Sequence, residues 1–138
     1  MRTKYLLYTL CITFLLAGCD LELLEETDCA NCYVEKPVDA YVDISVSINS
    51  ENAYVPLEIY LGEFDKENLI YRDTSESSTY TILLEMNQDY SVVAKYYSKG
   101  RYVYVVNGEE LRTKKDYDSC DQICYKIKGD KIDVRIKD

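Results

Sequence analysis

Ala40-Tyr41-Val42-Asp43-Ile44-Ser45-Val46-Ser47-Ile48 places Val42, Ile44, Val46 and Ile48 on one side of an extended chain. Asp43, Ser45 and Ser47 fall on the other. A period of two with β-branched residues on the apolar side predicts a strand with one buried face. The turn-like Asn49-Ser50-Glu51-Asn52 follows, and Val55-Pro56-Leu57-Glu58-Ile59-Tyr60-Leu61 alternates again. Pro56 suits a strand start or an edge, because it has no N–H to give to a ladder. Gly62 closes that run.

Further along, Leu69-Ile70-Tyr71 predicts a short strand, Asp73–Ser78 a polar loop, and Tyr80, Ile82 and Leu84 the buried side of the next strand. Tyr90–Tyr97 and Arg101–Val106 flank Ser98-Lys99-Gly100, a hairpin signal. A two-residue turn at Lys99-Gly100 would put Val92, Ala94, Tyr96, Val103 and Val105 on one face. Tyr97, Tyr102, Tyr104 and Lys95 would then share the other. A three-residue loop would instead group Tyr96, Tyr102 and Tyr104, and the pattern leaves both registers open. Asn107-Gly108 predicts another tight turn, with a short strand from Glu109 to Lys114 beyond it.

Near the end, Gly129-Asp130 predicts a hairpin. Lys128 would face Lys131, while Ile127 meets Ile132, Tyr125 meets Val134 and Ile123 meets Ile136. Lys126 would lie opposite Asp133, a favourable cross-strand pair worth about 0.2–1 kcal/mol. No helical period is sustained after residue 18. Seven or eight short strands separated by turns predict an all-β, antiparallel β-sandwich over residues 38–138, of immunoglobulin-like or fibronectin-III-like layout. Val55–Tyr97 also resembles prealbumin-like modules. The core Cys…Trp…Cys of true immunoglobulin domains is missing, since the chain has no tryptophan. Such a likeness is architectural and brings no function with it.

The start of the chain has another character. Arg2 and Lys4 precede an apolar run from Tyr5 to Leu16, shorter than the roughly 20 residues of a membrane span. This is the layout of a secretory signal. Leu16-Ala17-Gly18-Cys19 resembles the lipobox of bacterial lipoproteins, in which the cysteine after small residues is lipidated. That resemblance implies a cleaved signal peptide over 1–18 and an acyl anchor on Cys19. One chain holds a membrane only marginally, so a firm anchor takes two or three. Residues 19–37 form a tether, with five acids between Asp20 and Asp28 and no base. An acidic tether of this kind resembles the export signal of surface lipoproteins in Bacteroidetes-type bacteria, which implies an outer-membrane, cell-surface location. In other bacteria an aspartate after the lipidated cysteine marks inner-membrane retention.

Four cysteines remain beyond the anchor: Cys29 and Cys32 in the tether, Cys120 and Cys124 near the other end. Export to an oxidising compartment predicts two disulfides, and four cysteines allow three pairings. Bridges between the clusters, Cys29–Cys124 and Cys32–Cys120, are favoured. The first would close about 95 residues and stabilise by roughly 4–5 kcal/mol on the loop-entropy model. A four-thiolate zinc site and a thioredoxin-like pair are the competing readings. The exported location opposes the first, and the lack of a βαβ context opposes the second.

The formal net charge is −9, and loss of residues 1–18 removes two bases and no acid. This opposes nucleic acid as a partner, and also a basic contact with anionic headgroups. The chain has no histidine, so the usual general base and the commonest metal ligand are missing. Asp116-Tyr117-Asp118-Ser119-Cys120-Asp121 resembles part of a calcium loop but lacks its turn glycine and distal glutamate. No catalytic residue, metal ligand or cofactor is expected. Lys95, Tyr97, Tyr102 and Tyr104 are the candidate binding residues, suited to a protein partner or a glycan ring.

Taken with the closing segment from Asp118 to Tyr125 and Ile132 to Arg135, these features resemble small lipoproteins of Bacteroidetes-type bacteria. That family offers no catalytic residues to carry over. The expected function is that of a non-enzymatic envelope lipoprotein acting as a binding or structural module. The alternatives are a glycan-binding accessory protein of a nutrient-uptake system and an envelope inhibitor or immunity-type protein.

Overall fold

The computed structural model describes residues 32–64, 66–116 and 123–137. The signal segment, the tether as far as residue 31 with Cys19 and Cys29, and Asp118, Cys120 and Asp121 lie outside the described residues. Among the described residues eight strands occur in chain order: β1 (Asp39–Ser45), β2 (Val55–Leu61), β3 (Leu69–Ser75), β4 (Thr79–Glu85), β5 (Gln88–Ser98), β6 (Arg101–Asp116), β7 (Cys124–Lys128) and β8 (Lys131–Asp133). A 3-10 turn, Lys66–Asn68, precedes β3. The strands form two sheets, ordered β4-β1-β8 and β3-β2-β5-β6-β7. The fold is an all-β sandwich.

Alternation explains the core. Val42, Ile44 and Val46 from β1 and its continuation are buried, as are Val55, Leu57 and Ile59 from β2. Tyr90, Val92, Ala94 and Tyr96 of β5 and Leu111 of β6 complete the large sheet's inner face. Tyr80, Ile82, Leu84, Ile132 and Val134 answer from the small sheet. Each such aliphatic side chain, fully withdrawn from water, contributes about 1.5–3 kcal/mol. Gly62 ends β2 with φ 75°, and Asn49 Oδ1 accepts the Glu51 and Asn52 amides in the turn after β1.

Three expectations are overturned. β7 and β8 do not form a hairpin. β7 pairs antiparallel with β6, Ile127 opposite Thr113. β8 pairs parallel with β1, Ile132 opposite Ile44. Gly129 therefore turns the chain from one sheet to the other, with φ 78°. A Cβ on it would collide with the Glu110 carbonyl, so the corner needs glycine. Lys126 accordingly faces Lys114 rather than Asp133, which instead pairs with Arg135.

Asn107-Gly108 is not a turn either. β6 runs straight through it, paired to β5 over residues 101–111 and to β7 over 112–116. A Cβ at Gly108 would come 2.6 Å from the Tyr90 carbonyl oxygen, so the glycine serves close strand approach. Lastly, Asp73-Thr74-Ser75 belongs to β3, and the loop shrinks to Glu76–Ser78. Pairing with β2 holds those polar residues extended, Asp73 opposite Leu57 and Ser75 opposite Val55.

Candidate functional site

The hairpin β5–β6 turns at Lys99 and Gly100, with φ 51° and 80°. Positive φ at both positions is the two-residue turn whose twist matches flanking strands. Ser98 therefore faces Arg101, Tyr97 faces Tyr102 and Lys95 faces Tyr104. Of the two registers the sequence left open, this is the one that brings all four candidate residues to a single outer face. Tyr97, Tyr102 and Tyr104 are 43%, 63% and 60% exposed, so the rings meet solvent.

The side chains form a linked strip. Lys95 Nζ stands 4.2 Å from the Tyr102 ring centroid and 5.9 Å from that of Tyr104. A cation over an aromatic face is worth about 0.5–1 kcal/mol at an exposed site. Tyr97 and Tyr102 meet edge to face, with centroids 5.5 Å apart and planes at 68°. Val106, opposite Val93, extends the strip with an exposed apolar group.

A polar cluster from β2 and β3 borders it. Glu58 lies opposite both Arg72 and Val93 in the ladders. Tyr60 donates its hydroxyl to Glu58 Oε2 at 2.5 Å, and Arg72 Nε donates to Oε1 at 2.8 Å. The Tyr60 hydrogen bond is the main cause of a lowered Glu58 pKa, with Arg72 adding to it and burial opposing it. Burial, and then Glu58, push the Tyr60 hydroxyl up to about 12. Phe64 packs edge-on against Tyr60 at 4.9 Å, which helps account for a buried ring on an outer face.

Sequence reasoning missed Glu58, Tyr60 and Arg72. The signal was present in β2, where Pro56, Glu58 and Tyr60 share the parity opposite to the buried Val55, Leu57 and Ile59. What sequence could not supply was the neighbour, since pairing of β2 with β3 and β5 is a long-range outcome.

The second group of candidate residues is split. Cys124 is buried and Cys32 half-buried. Their segments are joined beside them, because Tyr33 and Tyr125 exchange both backbone hydrogen bonds, at 3.0 and 2.9 Å. The tether thus meets the edge of β7 at Tyr33. Cys29 and Cys120 fall outside the described residues.

No protein-family model, curated protein or solved structure matches this chain.

Proposed function

We propose that the chain is a lipid-anchored, non-enzymatic envelope protein whose sandwich binds a protein partner through the outer face of β5–β6. The observation that carries this reading is the strip itself: Tyr97, Tyr102 and Tyr104 exposed on one face around Lys95. Exposed tyrosines are among the side chains that contribute most per contact in protein recognition. The edge-to-face arrangement of Tyr97 and Tyr102 favours a protein over a glycan, because the rings do not lie in one plane for a sugar to stack upon.

The anchor and location rest on the resemblance of Leu16–Cys19 to a lipobox and of the acidic tether to a surface-export signal. The likeness to Bacteroidetes-type lipoproteins, and to immunoglobulin, fibronectin-III or prealbumin layouts, belongs to the same proposal. The disulfides belong to it as well. Pairing of Tyr33 with Tyr125 brings the two cysteine-bearing segments side by side, which supports bridging between clusters over bridging within them.

The test is crosslinking of the full chain in intact cells, with Tyr102→Ala/Tyr104→Ala as the paired variant. Both tyrosines are exposed, so the variant is expected to fold and lose its crosslinked partner. Retention of the same partner by a folded variant would reject the strip as the contact surface. A glycan array in which the wild type binds and the variant does not would replace the protein partner with a sugar. Fatty-acid labelling of a Cys19→Ser variant tests the anchor, with loss of label expected.

A further inference from the structure

We propose that β4 is a self-association edge, pairing antiparallel with β4 of a second copy of this chain about a two-fold axis at Ile82. The inference rests on the sheet edges and is independent of the tyrosine strip. An unpaired strand offers a row of N–H and C=O groups to any extended chain, and proteins usually blunt such edges. β3 is blunted by Arg72, Asp73 and a bulge opposite Ile59–Tyr60. β7 is met by Tyr33, and β8 is three residues long. β4 has seven residues, Thr79-Tyr80-Thr81-Ile82-Leu83-Leu84-Glu85, with no charge before the last. Among the described residues it pairs with β1 alone.

The backbone phase fits this pairing. Val46 N–H donates to the Ser78 carbonyl and Met86 N–H to the Val38 carbonyl, at the two ends of the β1–β4 ladder. Tyr80, Ile82 and Leu84, which share that parity, therefore turn their backbone groups toward β1. Thr81 and Leu83 turn theirs outward, away from the sheet. With Ile82 on the two-fold, Thr81 of one copy meets Leu83 of the other as a hydrogen-bonded pair, twice over. Ile82 then meets its own counterpart as a non-hydrogen-bonded pair, about 4.5 Å apart at Cα, where side chains approach closest.

Chemistry agrees with the geometry. Ile82 is half-buried against the core, so pairing extends the apolar layer across the axis. On the outer face Leu83 is exposed beside an exposed Tyr41. The one charge, Glu85, lies three residues from the axis, which separates the two copies of it by about 20 Å. That exceeds the Debye length of about 8 Å at physiological salt, so the acids do not oppose the contact strongly. A two-fold strand contact closes on itself and stops at a dimer.

The experiment is sedimentation of the full chain in detergent over a concentration series, with amide exchange read at single residues. The wild type is expected to reach twice the monomer mass. Exchange at Thr81 and Leu83 should slow at least ~10-fold as concentration rises, while Tyr80, Ile82 and Leu84 stay protected throughout by β1. Leu83→Pro removes an outward N–H that the fold does not use and should give a monomer with the strand circular dichroism intact. Leu83→Lys, at an exposed position, brings two lysines close across the axis and should weaken the dimer without any demand on backbone conformation. Four results would each overturn the proposal: a wild type monomeric at every concentration, exchange independent of concentration, a dimer unaffected by both folded variants, or protection seen only when another protein is added.

Discussion

Tyr96 reaches across the core to Val134: its hydroxyl donates to the Val134 carbonyl at 2.9 Å and accepts from the Ser47 amide at 3.1 Å. The ring belongs to β5 of the large sheet, while Val134 and Ser47 follow β8 and β1 of the small one. Alternation predicts Tyr96 on the inner face, where a phenol must find partners for its hydroxyl. Here those partners are the two strand exits, so one side chain ties the sheets together at that end. Tyr96→Phe keeps the packing and strands a buried carbonyl and a half-buried amide. The expected cost is about 1–3 kcal/mol, read as a lower urea midpoint with an unchanged slope. An unchanged midpoint would show that water replaces the hydroxyl.

What the sequence could say was which side of each strand faces inward, and what it could not say was which strand lies alongside. Ile127 and Ile132 both point into the core, as alternation predicts, yet they sit in different sheets. Period-two patterning encodes burial, and burial is the same whether the chain doubles back or crosses over. A glycine with positive φ serves a hairpin turn and a sheet-switching corner equally well, so Gly129 carries no local mark of which one it makes. The tyrosine strip was half legible: the turn at Ser98-Lys99-Gly100 was marked, but its length was not, and the positive φ at both Lys99 and Gly100 is what sets the register. Its polar border of Glu58, Tyr60 and Arg72 depended on pairings with no local signature.

Gly129 and Gly108 allow a sheet-switching corner to be compared with a close strand approach. Gly129→Ala meets a positive φ and a collision between the new Cβ and the Glu110 carbonyl, and both belong to backbone that cannot swing aside. A loss of about 2–4 kcal/mol is expected, combining left-handed strain with overpacking. Gly108→Ala has no left-handed φ to satisfy and should cost less, from the 2.6 Å approach to the Tyr90 carbonyl alone. Chemical denaturation of both variants checks the order. Equal losses would mean that crowding, and not the corner's backbone conformation, governs Gly129.

Alkaline pH should unfold the protein through its buried tyrosines. Burial raises the pKa of Tyr96, Tyr90 and Tyr80, and raises that of Tyr60 to about 12. A folded pKa above the unfolded value near 10 means that the native state holds its proton longer. That stability is fully present below about pH 10 and is lost as pH climbs through the folded values. Phenolate absorbance should therefore rise in two parts, the second coinciding with loss of strand circular dichroism. Complete ionisation with the strand signal retained would contradict the burial of these rings.

The strip depends on a residue outside it. Asn52 is buried, and its side-chain amide acts as an extra strand neighbour for Tyr97: Nδ2 donates to the Tyr97 carbonyl at 3.0 Å, and Oδ1 accepts the Tyr97 amide at 2.7 Å. Only a group with a donor and an acceptor side by side can satisfy both. Asn52→Asp keeps the shape, but it loses the donor and turns a carboxylate toward a carbonyl. A destabilisation of about 1–3 kcal/mol is expected, together with faster amide exchange at Tyr97 and weaker capture of the partner. Since Asn52 is buried, lost capture with normal stability would mean that the introduced carboxylate repositions Tyr97 without loosening it. Intact exchange protection at Tyr97 would instead show that the hairpin holds its end without the loop.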